Sequence, residues 1–533
     1  MGNILLIQPP IQDFYLTAKR TIPYGLASIA SALEKTGFSV QILDAMACSR
    51  SQSIALPKEM AYLKEYYGKE DRSSFALFHQ YKHYGYSFED IARETKATSA
   101  FLVGISSLFT AYSDQALQTA RIVRQSLPKA HIVMGGHHPT ALPEKVMEEK
   151  AIDFCIRGEG EISLPLLATA LQNQSSLDSI PGLVFRKPDG SLHISEPCVV
   201  KDLDSLSLPS LHLIQSDFYY RGKNASAVVV ASRGCPLQCS YCSLGAHSCL
   251  SYRRRSLSHV IREIEIALAH HPVLFLDFED ENISFDRTFF LALLKEIQKR
   301  FPGRLELRAM NGLYPPTLDE EIVYEMKQAG FKELNLSLVT LSPEQLKKFR
   351  RANVKESFEK IVKYALKIGL SAVGYIIVSS PGQDPHSSLH DLLYLAKNNV
   401  LAGVSVYYPA PDSLDYQICK EKKLLPAQES LLRGSALPIS DSTSRLQSIT
   451  FLRLSRVANF MKALKDKGIE IPQPEICSSS KIRSQDRLES SKELLSYFFQ
   501  DYRIRGVTSQ GEIYIHKADT ELCKEFAQKI LTK

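Results

Sequence analysis

Three cysteines stand within eight residues, in the run Cys235-Pro236-Leu237-Gln238-Cys239-Ser240-Tyr241-Cys242. Ten cysteines scattered over 533 positions would produce roughly 0.004 copies of Cys-x-x-x-Cys-x-x-Cys by chance, so composition does not explain the run. Thiolates are soft ligands that hold iron-sulfur clusters, and three of them leave one iron of a 4Fe-4S cube open to a small molecule. The competing reading is a structural zinc site completed by Cys249 or His247. Zinc ligands usually come as two close couples, which this spacing is not.

Other chemically capable stretches follow the ends of short apolar runs. Val103-Gly104-Ile105-Ser106-Ser107-Leu108, Gly135-Gly136-His137-His138-Pro139-Thr140 and Arg157-Gly158-Glu159-Gly160-Glu161 place small residues where open α/β sheets bind ligands. Tyr252-Arg253-Arg254-Arg255-Ser256 is a basic turn, facing either a negative cofactor or solvent. Asp277-Phe278-Glu279-Asp280-Glu281-Asn282 is acidic and reads equally well as a ligand contact or a solvated strand end.

The elements that must position these residues form two series. From Asn3 to about Ser175, short apolar runs alternate with amphipathic ones, as in a parallel sheet covered by helices. Strands are expected at Ile4 to Gln8, Ser39 to Leu43, Phe101 to Ile105, His131 to Met134 and Asp153 to Ile156, with a helix beginning at Pro23 and stopping at Gly37. Between Met46 and Thr98 the periodicity fades into a Tyr- and Lys-rich insertion. Residues 176–222 read as a linker carrying a hairpin turned at Pro188-Asp189-Gly190. Six further strands are expected near Ala227 to Ala231, Val273 to Leu276, Leu305 to Arg308, Glu333 to Leu338, Ala372 to Val378 and Val404 to Tyr408, enough for a partial (β/α)6 barrel of TIM type. The cysteines follow the first of these strands, at the barrel end that carries chemistry. The division is thus 1–175 Rossmann-like, 176–222 linker, 223–424 barrel and 425–533 mainly helical, ending in a hairpin at Gly506 to His516 and a last helix.

With 44% hydrophobic and 23% charged residues, the chain is neither disordered nor collagen-like nor a coiled coil. A formal charge of +6 over this length gives no footprint for nucleic acid. No uncharged window is apolar enough to span a bilayer. The opening MGNILLIQPP has no basic leader, and Leu6 stands where a myristoylation signal needs Ser or Thr, so a cytoplasmic location is expected. Ten cysteines are too sparse for a disulfide framework.

The triad, with aromatic Tyr241 before its last cysteine, resembles the signature of the radical S-adenosylmethionine (SAM) enzymes. The resemblance implies that Cys235, Cys239 and Cys242 hold a 4Fe-4S cluster whose open iron chelates SAM, and that electron transfer cleaves SAM to a 5'-deoxyadenosyl radical. The three glycine- and serine-bearing strand ends, in this order and ahead of the triad, resemble the cobalamin (B12)-binding domain of the B12-dependent radical SAM family. That likeness covers residues 1 to about 424. It implies that Ser106 and Ser107 line the nucleotide tail of cobalamin, with Gly135, Gly136 and Thr140 beside it. It also implies that Asp280 or Glu281 holds the SAM ammonium or ribose, that Asn311, Ser337 or Thr340 supplies contacts usually made by a glutamate, and that Pro381 and Gly382 match a Gly-Leu-Pro-Gly type turn. Tyr407-Tyr408-Pro409-Ala410-Pro411 resembles the segment against the adenine. There are two departures: Val339 replaces the usual glutamate, and no Asp-x-His-x-x-Gly motif offers a histidine to cobalt.

The reaction this implies is methylation of an unactivated carbon of a small-molecule substrate, with a low-potential donor such as flavodoxin or ferredoxin. Oxidative cyclisation or rearrangement of the anaerobic Mg-protoporphyrin ester cyclase type is the alternative. A non-catalytic cobalamin sensor or carrier, from a different class, would not need the triad. A methylthiotransferase would need a second cluster, for which the N-terminal part has only Cys48 and Cys155.

Overall fold

The computed structural model describes residues 2–15, 22–215, 218–246, 251–269 and 274–531. Val273, His247 and Cys249 of the expectations above lie outside them.

The first sheet is built from β1 (Asn3–Gln8), β2 (Ser39–Asp44), β3 (Leu102–Ser106), β4 (His131–Gly135) and β5 (Phe154–Ile156), all parallel. Alternate residues of β1 face opposite layers, as a two-residue period requires. Ile4 and Leu6 pack under α1 (Tyr24–Lys35), whereas Leu5 and Ile7 join the core of the other face. Both faces are therefore apolar, which is why these strands read as unbroken hydrophobic runs. Pro23 is the N-cap of α1. α2 (Phe88–Thr98), capped by Ser87, leads into β3, and α3 (Ser113–Ser126) and α4 (Gly160–Asn173) follow β3 and β5. The hairpin expected in the linker is present as β6 (Leu183–Arg186) and β7 (Leu192–Ile194), turned at Gly190. It does more than bridge domains: β6 pairs antiparallel with β5 and extends the first sheet. The sheet order is β7-β6-β5-β4-β3-β1-β2. Because the chain runs from β1 outward to β2 and then crosses back to β3, the carboxyl ends of β1 and β3 flank a topological switch point.

The second unit has six parallel strands in two groups. β8 (Asn224–Val229), β9 (Leu274–Phe278) and β10 (Leu305–Arg308) form one group; β11 (Glu333–Val339), β12 (Ser371–Val378) and β13 (Leu401–Val406) form the other. Among the described residues the strand ladders of the two groups are joined only by the isolated bridges Leu307 to Phe331 and Leu313 to Leu336. The result is the expected open barrel, seamed between its third and fourth strands. Its first strand starts three residues earlier than expected and its last ends two earlier.

The open edge at β13 is closed by α5 (Arg445–Asp466). The Asn459 amide acts as a substitute strand, accepting from the Ala402 N–H at 2.7 Å and donating to the Ala402 carbonyl at 3.0 Å. Phe451, Leu454 and Val457 of the same helix belong to the barrel's hydrophobic cluster. The insertion packs onto this C-terminal region: Met60, Leu63, Tyr67 and Tyr81, with Phe14 beside them, share a core with Leu437 and Ile449. The terminal hairpin (Arg505–Val507 and Ile513–Ile515) and helix (Thr520–Leu531) complete it.

Candidate active site

Parallel pairing of β8 with β9 delivers the acidic stretch to the cysteine loop. The Asp280 carboxylate accepts from the Ala231 N–H at 3.1 Å and from both the N–H and the hydroxyl of Ser232 at 2.5 Å. Glu281 accepts from the Gly234 N–H at 3.1 Å. Burial pushes the Asp280 carboxyl up to about 7 and raises that of Glu281. In this structure both acids brace the backbone that carries the triad, and neither borders the large cavity described below. The basic turn is engaged as well. Arg233 and Arg253 pair with Glu159 at 3.3 and 2.9 Å, Arg233 also with Glu161, Arg254 with Asp286 and Arg255 with buried Glu263. These arginines fasten the barrel to the loop after β5 and to its own helices.

Within the triad, the Cys242 N–H donates to the Cys239 carbonyl at 3.1 Å. Ser240 is gripped from both sides, its N–H donating to Phe349 and its carbonyl accepting from Asp415. Tyr241 meets the Phe349 ring edge-on at 4.9 Å. Cys239 is 6% exposed, and Arg351 approaches its sulfur at 3.6 Å while lying over the Tyr314 ring. A cation beside a buried thiol suits a thiolate ligand set. Nothing in the sequence singles out Arg351, which follows a helix more than a hundred residues after the triad.

A cavity of about 1080 Å³ opens between the two units. Cys242, Asn311, Ser337 and Val339 border it from the barrel, and Leu108, Phe109, His137 and Thr140 from the strand ends of the first sheet. Leu77 and Phe78 of the insertion and Arg433, Arg456 and Asn459 of the C-terminal region complete the wall. β11 bulges between Ser337 and Val339, and Val339 takes a φ of 70°, strained for a β-branched residue. Pro381 and Gly382 are not among the cavity walls; the Gly382 N–H donates to Asp441 and its carbonyl accepts from Lys348, tying the fifth strand's turn to the C-terminal region.

At the switch point Ser106 and Ser107 border a recess of about 60 Å³ with Gln8, Pro9 and Met46. Ser107 Oγ is buried without a hydrogen-bond partner. Beside Gly135 the space that a side chain would fill is open, whereas Gly136, at φ 124°, would drive a Cβ to 2.5 Å from the Ser107 carbonyl. Thr140 locks this turn by donating to the Gly136 carbonyl at 2.8 Å and accepting from the Gly158 N–H at 2.9 Å. Burial pulls His138 down to about 4, leaving it neutral against Thr110.

These residues fit the cofactors the sequence implies: a glycine cradle with an orphaned hydroxyl at the sheet's switch point, and a stapled cysteine loop with an adjacent cation.

Comparison with known proteins agrees. The B12 binding domain family model matches residues 17–168 and the Radical SAM superfamily model residues 229–393. An uncharacterized methyltransferase of Pyrococcus horikoshii is 28% identical over 299 residues, 56% of this chain and 64% of that protein. The cytidylyl-2-hydroxyethylphosphonate methyltransferase of Streptomyces wedmorensis is 24% identical over 71% of this chain and 73% of its own length. The chain thus spans just under two thirds of the first relative and about three quarters of the second. Among solved structures, the radical S-adenosylmethionine methyltransferase TsrM from Kitasatospora setae, with cobalamin and a 4Fe-4S cluster bound, shares the fold at a TM-score of 0.59 and 18% identity, over 82% of this chain and 86% of that one. Among the described residues no helix is long and apolar enough to cross a membrane. Two family models in tandem, lying over the two sites that the geometry joins, give this chain a B12 binding domain followed by a Radical SAM superfamily domain, whose cofactors are cobalamin, a 4Fe-4S cluster and S-adenosylmethionine.

Proposed function

We propose that the protein is a cobalamin-dependent radical SAM methyltransferase acting on an unactivated carbon of a small molecule. The observation that carries this is the single cavity shared by the triad side and the cobalamin side, with Cys242 on one wall and Leu108, His137 and Thr140 on another. Bound there, the three cofactors would supply a 5'-deoxyadenosyl radical to remove a substrate hydrogen and a methyl group to replace it.

The chain's own residues orient and exclude. Cys235, Cys239 and Cys242 would hold the cluster, and Asp280 and Glu281 fix the loop on which they stand. Asn311 and Ser337 face the space where SAM would lie; Asn311 is itself held by donating to the Glu279 carbonyl at 2.8 Å. Ser106, Ser107, Gly135, Gly136 and Thr140 would receive the cobalamin tail. Leu77, Phe78 and the Arg445–Asp466 helix would cover the substrate and keep water away from the reacting carbon. The electron would come from a low-potential flavodoxin or ferredoxin in the cytoplasm, where free thiols persist.

Anaerobic incubation with SAM, reductant and methylcobalamin tests the reading. A methylase forms both 5'-deoxyadenosine and S-adenosylhomocysteine, and changing all three triad cysteines to Ala removes both products together with the visible iron-sulfur absorption. The nucleoside alone would favour cyclisation or rearrangement.

A further inference from the structure

Arginines packed between parts of this chain usually bond through all three guanidinium nitrogens. Arg433 donates from Nε to Ser430, from Nη1 to Gln12 and from Nη2 to Ala111. Arg72, at the junction of the insertion with the C-terminal region, reaches Thr508, Gln485, Ser490 and Ser484. Arg453, on the helix that closes the barrel, does not. It is 3% exposed, donates from Nη2 to the Tyr66 carbonyl at 2.7 Å, and leaves Nε and Nη1 buried without partners. Burial draws its pKa down to about 10, so it remains charged at neutral pH. Tyr67, also 3% exposed, leaves its hydroxyl buried and unpartnered.

Both residues border one cavity of about 260 Å³ between the insertion and the terminal hairpin. Asp71 offsets part of the Arg453 charge, but the acids nearby have closer partners. Asp71 is committed, accepting from the Ser73 and Val507 N–H groups and paired with His516 at 2.9 Å. Glu65 is taken by Lys517. Four cations (Lys64, Lys69, Arg453 and Lys517) against Asp71 and Glu65 leave the wall at +2 with His516 neutral. Leaving donors buried and unpaired costs about 1–3 kcal/mol each, more when charged, and three such donors belong to two side chains that border this positive cavity, which favours a bound acceptor.

We propose that this cavity is an oxyanion-binding site, in which Arg453 and the Tyr67 hydroxyl donate to a carboxylate or phosphate group. Lys64 and Lys69 supply the attractive rim. The site is separate from the reaction cavity, but Leu77 and Phe78 border both, and Phe78 packs on the Tyr67 ring at 4.8 Å. An anion held by Tyr67 would therefore lie one ring away from the wall of the reaction cavity.

The test is calorimetric titration of the full chain with sodium phosphate and, separately, sodium acetate, each against sodium chloride at matched ionic strength. The expected result is saturable binding of at least one oxyanion beyond the chloride control; phosphate alone or acetate alone identifies the group recognised. Tyr67→Phe keeps the packed ring and should weaken binding about tenfold, and Arg453→Gln should abolish it. Should Arg453→Gln fail to fold, Tyr67→Phe decides the matter. No saturable heat with either anion, or equal affinity in wild type and Tyr67→Phe, overturns the proposal. Binding is read without turnover, so this result stands or falls independently of the methyltransferase reading.

Discussion

At the scale of single residues, the end of the cavity proposed to receive cobalamin depends on one backbone conformation. Gly136 sits at φ 124° and ψ −174°, a region essentially closed to any other residue, with no room for a Cβ. Gly136→Ala should cost about 1–3 kcal/mol of stability and displace the Ser107 carbonyl it would strike. The check is denaturant unfolding together with the cobalamin absorbance retained after desalting. A second residue carries a pH dependence. Asp391 is fully buried beneath the fourth strand's turn, accepting from the Thr340 hydroxyl and the Leu341 N–H. Burial lifts its carboxyl from 3.8 to about 7. The folded chain thus binds this proton more tightly than the unfolded chain, and the associated stability is complete below about pH 4 and lost as pH rises through about 7. Asp391→Asn should flatten the decline between those values in urea midpoints measured across the range. The triad and the glycine turns are legible in the sequence because their identity and spacing are themselves the chemistry. Arg351 and Arg453 are not, since an arginine's role depends on which donors are left over once the chain has folded.

At the scale of elements, the barrel's last strand has a neighbour on one side only, and α5 supplies the other. The Asn459 amide satisfies both polar groups of Ala402. Asn459→Leu would leave them unpaired in a buried setting and should cost about 1–3 kcal/mol, seen as a lower denaturant midpoint with the cluster-bound enzyme. Strand positions are readable within a few residues because the apolar runs are strong. Their ends are less so, because the sixth strand stops at Val406, after which the Tyr407 N–H turns to the Val378 carbonyl, while its apolar run continues through Tyr408. The hairpin at residues 183–194 is recognisable from its turn, but its addition to the first sheet is not, since edge pairing leaves no mark on local periodicity.

At the scale of the whole molecule, the insertion and the C-terminal region behave as one body although about 400 residues separate them. Arg72 is the fastener, making four hydrogen bonds to residues 484–508, with Asp71 paired to His516 beside it. Arg72→Ala should cost about 2–4 kcal/mol and expose the insertion to limited proteolysis while the first sheet stays resistant. No sequence pattern announces this contact, because a tyrosine- and lysine-rich stretch looks the same whether it is solvated or docked.

That docking bears on how such proteins diversify. The parts proposed to grip cofactors belong to the two large units, whereas the insertion and the tail jointly roof the cavity between them. Each half of that roof is cut to fit the other, so exchanging one alone between related proteins would leave mismatched surfaces. Chemical preference should therefore pass down a lineage as a matched pair of segments, free to drift while the machinery underneath is held constant.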